Sequence, residues 1–150
     1  MTCDMTYDVK IRKAHNEDEV AIEVLMSTYF LDIEGTEVDD FIVATIDGRI
    51  IGAACLETGK FPEVHSIAVH PNHRGKGIGR LLLDALVSDL SGEKFLFART
   101  TSPVFFEKAG FIRLDDSEKR EIWDDCAQCN RFNTCKQSVL RLEIKDNTRY

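Results

Sequence analysis

Between Val64 and Leu90 the chain reads VHSIAVHPNHRGKGIGRLLLDALVSDL, and this stretch constrains the fold more than any other. Val64 to His70 is a largely apolar, β-branched run that predicts a buried strand, ended by Pro71-Asn72, two residues that favour turns. From Ile78 onward, Ile78, Leu81, Leu82, Ala85 and Leu86 recur at i, i+3, i+4, i+7 and i+8, while Arg80, Asp84 and Ser88 form a narrow polar stripe. The spacing predicts a helix buried on most of its circumference. At the junction, Gly75, Gly77 and Gly79 remove side chains at alternate positions, so main-chain N–H groups can approach a ligand closely. The unpaired N–H groups of the first helical turn and the positive end of the helix dipole point to the same place, where a phosphate is stabilised. Charge agrees: His70, His73, Arg74, Lys76 and Arg80 fall within eleven residues that contain no acid, in a chain of formal net charge -7.

The spacing decides which kind of phosphate loop this is. A P-loop requires GxxxxGK[ST], and Gly75 to Arg80 has neither that spacing nor the hydroxyl that holds magnesium. A dinucleotide fingerprint requires GxGxxG, but Arg80 stands where the third glycine or alanine allows close helix packing, and no early βαβ unit surrounds it. What remains is Arg74-Gly75-Lys76-Gly77-Ile78-Gly79, an R-x-x-G-x-G pattern directly after a strand ending Ile67-Ala68-Val69-His70-Pro71. This resembles the acetyl-coenzyme A (acetyl-CoA) signature of the GCN5-related N-acetyltransferase (GNAT) family, with strand, proline turn, arginine, glycines and apolar helix in the family's order. A glycine-lysine surface turn before a core helix is the plainer alternative.

At 150 residues and 43% hydrophobic content the chain can bury one sizeable core, and a single domain over 1–150 is expected. The acidic balance argues against nucleic acid as a partner, since phosphate contacts require a basic face. No apolar run approaches bilayer-spanning length, and charges occupy the first twenty residues where a signal peptide is apolar. A cytoplasmic protein without a membrane partner is expected, and its five cysteines then read as thiols or metal ligands instead of disulfides.

Along the chain, Tyr7 to Lys13 alternates as a half-buried strand. Asn16 with Glu19 fits a capping box for a helix from about Glu17 to Phe30, with Val20, Ala21, Val24, Leu25 and Thr28 as its apolar face. Asp32, Glu34, Glu37, Asp39 and Asp40 make the following loop acidic: a solvated loop, or an attractor for a cationic acceptor. Phe41–Ile46 and Arg49–Glu57 are strand-like runs around Asp47-Gly48, the pair a type I′ hairpin prefers. After the central strand and helix, Lys94–Arg99 reads as a strand. Ser102-Pro103 opens a short helix that ends before Gly110. Phe111–Leu114 and Gln137–Ile144 complete the pattern, the latter with Ser138, Leu140, Leu142 and Ile144 on one side. The order β, α, β, β, β, α, β, α, β, β gives an α/β (α+β) class with a mixed sheet and helices on both faces. The GNAT resemblance covers about the first 115 residues, including Ser102-Pro103 to Phe111 as the family's second cofactor-side motif. It implies a mostly antiparallel twisted sheet of six to seven strands.

By this resemblance the protein transfers acetyl from acetyl-CoA to an amine. The cofactor set it implies is Ile67, Ala68 and Val69 along the pantetheine arm, Arg74, Gly75, Lys76, Gly77, Ile78, Gly79 and Arg80 at the pyrophosphate, and Phe106 from the second motif. The Val69 N–H is expected to polarise the thioester carbonyl. Glu63, opening the central strand, is the first choice of general base, followed by Glu57 and His65, each with a plainer reading as a strand-end charge or a packed histidine. The general acid departs from the family. Phe106 stands where many members have a proton-donating tyrosine, and a phenyl ring cannot give a proton. Ser102 and the few tyrosines cannot be placed from sequence.

Trp123-x-x-Cys126-x-x-Cys129-x5-Cys135, with Ala68-Val69-His70-Pro71 and Leu96 to Thr101, resembles the short amino-acid acetyltransferases related to the acetyltransferase domain of N-acetylglutamate synthase. That implies the α-amino group of an amino acid such as glutamate as acceptor, with Arg99 or Arg113 able to pair with its carboxylates or to remain ordinary surface arginines. Cys126, Cys129 and Cys135 also have ligand spacing for a structural zinc, completed by Cys55, Cys3 or a histidine, with unmetallated thiols and an iron–sulfur role as open alternatives. A protein or peptide acetyltransferase and a non-catalytic acetyl-CoA-binding regulator stay as rival readings. A homodimer is left open.

Overall fold

The structure, a computed structural model, describes residues 8–59, 61–90, 92–100, 102–115 and 138–144. Their elements are β1 (Lys10–Lys13), α1 (Glu19–Thr28), β2 (Phe41–Ile46), β3 (Arg49–Glu57), β4 (Glu63–Val69), α2 (Ile78–Ser88), β5 (Phe95–Thr100), α3 (Pro103–Lys108), β6 (Ile112–Leu114) and β7 (Ser138–Glu143). This is the element order expected from the sequence. The strands form a sheet in the order β1-β2-β3-β4-β5-β7-β6, with β4–β5 parallel and the pairs β1–β2, β2–β3, β5–β7 and β6–β7 antiparallel. Two compact units divide the chain: Met1–Glu57 with His65–Ser91, and Thr58–Val64 with Gly92–Tyr150.

In the first unit the β2–β3 hairpin turns through Asp47 (φ +52°) and Gly48 (φ +79°), the two positive angles that the Asp-Gly pair predicts. Helix α1 starts later than its sequence suggests. Asn16–Asp18 form a 3-10 turn whose N-cap is His15, and the His15 N–H donates to Asp18 Oδ2 at 2.7 Å. Arg12 donates to both Asp18 oxygens (2.7 and 3.2 Å), which with the His15 bond holds that carboxyl below its ordinary pKa.

The buried stripe of α1 is Ile22, Leu25 and Met26, continued by Tyr29, while Val20 and Val24 are 68% and 61% exposed. The expected face is therefore corrected. Two apolar stripes share this helix, and packing selects the one whose long side chains meet Val43, Ala53 and Cys55 of the sheet. On the opposite sheet face, α2 buries Ile78, Leu82, Leu83 and Leu86, but leaves Leu81 44% exposed instead of covering most of its circumference. Gly52 lets this helix approach β3: a Cβ there would stand 3.1 Å from Leu82 Cδ1.

In the second unit β5 pairs with the opening of β4 through Glu63↔Phe97 and Val64↔Ala98. β7 lies between β5 and β6, and its adjacent residues Val139 and Leu140, which point to opposite faces of the sheet, are both fully buried. Helix α3 follows the Ser102-Pro103 signal, and Gly110 (φ +102°) ends it.

Candidate active site

The glycine loop adopts the backbone its sequence suggests. Gly75 (φ +78°) and Gly77 (φ +80°) are left-handed, and a Cβ on either would meet nothing within 4 Å. Backbone conformation, not crowding, demands glycine there, and the space it leaves is open. Gly77 is the N-cap of α2. The first α-helical bond runs from the Leu81 N–H to the Gly77 carbonyl at 3.1 Å, so the N–H groups of Ile78, Gly79 and Arg80 have no partner within the helix. Gly79 belongs to that first turn and not to the loop. No acidic residue occupies the turn, and the dipole favours an anion.

The cations around the loop divide by role. His70 caps the Pro71–His73 turn, its Nδ1 accepting from the Asn72 N–H at 3.1 Å. Arg80 pairs along its own helix with Asp84 at 3.2 Å, an exposed contact of small worth. Arg74 lies over the Tyr29 ring, 5.9 Å from its centroid. His73 has its pKa pulled below 6.5 by burial, then by the positive charge of Lys76, His70 and Arg49. Arg49 was missed by sequence reasoning. It follows the hairpin turn, 25 residues before Arg74 in the chain, and only the folding of the hairpin brings it to this patch.

Strand β4 supplies the edge beside the loop. The His70 N–H donates to Ile51 O on β3 at 2.7 Å. Backbone groups alternate sides along a strand, so Ala68 also faces β3, whereas the N–H and C=O groups of Ile67 and Val69 turn away from it. The Val69 carbonyl accepts a 2.6 Å bond from the Tyr29 hydroxyl, which reaches it from the C-terminal end of α1. Sequence reasoning did not single out Tyr29. Its i+7 spacing from Ile22 marks it as core, and nothing local reveals where its hydroxyl points.

At the other end of β4, within the second unit, the Glu63 side chain is 7% exposed and bound by both prongs of Arg99, with Nε to Oε2 at 2.8 Å and Nη2 to Oε1 at 3.0 Å. The expected base and one expected acceptor-binding arginine thus bind each other. Arg113 contacts Glu107 at 3.4 Å in a half-exposed pair. Glu57 is exposed at the end of β3, and His65 Nδ1 lies 2.8 Å from Ser66 Oγ. The Ser102 N–H donates to Thr100 Oγ1. Phe106 is 6% exposed in an edge-to-face cluster with Phe105 and Phe111, centroids 5.1 and 5.2 Å away.

A cavity of about 260 Å³ opens between α1 and the loop that follows it, lined by Glu19, Glu23, Glu34 and Glu37 with Ile22 and Ile33. Four carboxylates suit a cation and repel a dicarboxylate. Cys3, Cys126, Cys129 and Cys135 lie outside the described residues. Among the described residues no cluster of three or more histidines, cysteines or carboxylates could hold a metal, so zinc gains no support. Burial, with Asp40 and Glu57 adding to it, pushes the Cys55 thiol up to about 12. No helix among the described residues is long and apolar enough to cross a membrane.

Residues 37–113, half of the chain and including residues of both units, match the acetyltransferase (GNAT) domain profile. The chain belongs to the GNAT acetyltransferase family. It is an acetyl-CoA-dependent N-acetyltransferase. The protein is 33% identical over 106 residues to an uncharacterized N-acetyltransferase of Chlorobaculum tepidum, covering 67% of this chain and 68% of that one. It is 26% identical to an amino-acid acetyltransferase of Mycobacterium tuberculosis, over 91% and 87% of the two chains. In fold it is similar to N-acetylglutamate synthase of Neisseria gonorrhoeae complexed with coenzyme A (CoA) and N-acetyl-glutamate, with a TM-score of 0.78 at 22% identity. That likeness covers 95% of this acetyltransferase but only 36% of the synthase chain.

Proposed function

We propose that this acetyltransferase acetylates the α-amino group of a small amino acid, glutamate being the first candidate. The observation that carries the cofactor half is the left-handed Gly75/Gly77 loop running into α2, whose N–H groups grip the CoA diphosphate. The edge of β4 at Ile67, Ala68 and Val69 carries the pantetheine arm, and the Val69 N–H, turned away from β3, receives the thioester carbonyl as its charge develops. Arg74 and Lys76 add charge at the diphosphate, and Phe106 serves as packing on the cofactor side.

The amino-acid acceptor is supported by the relatives named amino-acid acetyltransferase, including one that this chain covers nearly from end to end. A cationic amine, such as a diamine, is the second reading, favoured by the acidic cavity beside α1. For the base, Glu63 fits a reacting centre near the opening of β4 and Val69 a carbonyl donor near its close. We take the Val69 site, because both Glu63 oxygens are already committed to Arg99. Glu63 as base remains the alternative proposal.

Incubation with acetyl-CoA and a panel of the twenty amino acids and simple diamines, read by CoA release, tests the assignment. Turnover with one α-amino acid supports it, and turnover with diamines alone moves the acceptor to the second reading. CoA binding by calorimetry without turnover on any amine would leave a cofactor-binding regulator.

A further inference from the structure

The acid missing at position 106 has a counterpart elsewhere. Among the described residues Tyr29 carries the one phenol, and its hydroxyl is not used to cap its own helix: it spans 40 residues of sequence to donate to the Val69 carbonyl at 2.6 Å. The peptide it binds is held from the other side by the His70 N–H bond to Ile51 (2.7 Å). An extended residue turns its own N–H and C=O to the same side. The Val69 N–H assigned to the thioester carbonyl and the Val69 C=O occupied by Tyr29 therefore open in one direction, away from β3. A thioester docked on that N–H lies next to the phenol. The ring is half-buried against the core of the first unit, with Arg74 on its face, so the hydroxyl is delivered from a fixed platform.

We propose that Tyr29 is the proton donor to the departing CoA thiolate, the role Phe106 cannot fill. This rests on the Val69 site taken above. The amine nitrogen bonds to the thioester carbon and the carbonyl oxygen takes up negative charge at the Val69 N–H. As the carbonyl re-forms, the carbon–sulfur bond breaks and the sulfur takes the phenol proton from Tyr29, which turns from the Val69 carbonyl. The surplus proton of the attacking nitrogen goes to water, and water returns one to the phenolate, leaving an amide and free CoA thiol.

The test uses acetyl-CoA and whichever amino acid the panel identifies. Tyr29→Phe is expected to lower kcat about 100-fold, the scale of a lost general acid, while the Kd for CoA changes less than threefold. Replacement of Tyr29 by 3-fluorotyrosine, more acidic than tyrosine, is expected to move the alkaline limb of the kcat profile to lower pH by about one unit, and this arm stands even if Tyr29→Phe fails to fold. A Tyr29→Phe kcat within threefold of wild type overturns the proposal, as does an unmoved alkaline limb. Equal losses in kcat and CoA affinity also overturn it, since they mark Tyr29 as holding the strand edge only. If the unsubstituted protein neither binds CoA nor turns over, the Val69 site itself is wrong, an outcome separable from the failure of Tyr29 alone.

Discussion

At its C-terminal end β4 runs into backbone that glycine alone adopts without strain, among cations that stand largely in solvent. At its N-terminal end Glu63 is 6% exposed and gripped through both oxygens by Arg99. The first neighbourhood leaves donors unspent, and its own residues have little to gain from the arrangement. The second spends its charges on each other. Binding sites for anions are built in the first way, because hydrogen bonds and charge already satisfied within the protein have nothing to offer a ligand.

Three experiments press on this contrast, the largest effect first. Gly77→Val places a β-branched residue at φ +80° and points its side chain into the open space beside the α2 amides. CoA affinity measured by calorimetry should fall on the order of 100-fold, about 2.7 kcal/mol. A change under threefold would show that the loop is only a turn.

Glu63→Gln removes the negative charge that faces the half-buried Arg99 guanidinium, so it should cost about 3 kcal/mol, or roughly 9 °C in Tm for a chain of this size. The double variant Glu63→Leu with Arg99→Met, which removes both charges, should recover most of that loss. The acid limb of kcat/KM in Glu63→Gln decides the alternative base: an altered limb restores Glu63 to the mechanism, and an unaltered one confines it to the ion pair.

The smallest effect concerns His73. Its folded pKa lies below the 6.5 of an unfolded histidine, so the native chain binds fewer protons there. The stability this represents is fully present above pH 6.5 and is lost as pH falls through the folded value. A bound diphosphate offsets the field of Lys76, His70 and Arg49, which makes protonation easier and links it to binding. CoA affinity should therefore rise about twofold to threefold between pH 7.5 and 5.5. His73→Asn should flatten that dependence, and a profile unchanged by the substitution would place the ligand away from this histidine.

How much was legible can be judged from particular residues. The hairpin at Asp47-Gly48, the cap at Ser102-Pro103 and the turn at Gly77 were read correctly because each depends on the dihedral preference of one or two residues. The α1 face was misread because its sequence offers two apolar stripes, and periodicity cannot say which one meets the sheet. Arg99 and Glu63 stand 36 residues apart, and their pairing appears only once β5 lies parallel to β4.

The order of elements, the glycine loop, the basic cluster within eleven residues and the family signature belong to the sequence alone, since each is a matter of neighbouring residues and of hydrophobic period. The tertiary structure decided what long-range contacts control: the insertion of β7 between β5 and β6, the addition of Arg49 to the cation patch, the closure of Glu63 on Arg99, and the reach of Tyr29 to the Val69 carbonyl. The physical reason is the same in each case. A side chain's type sets what it can donate or accept, but its partner is whatever the packed core brings within about 3 Å.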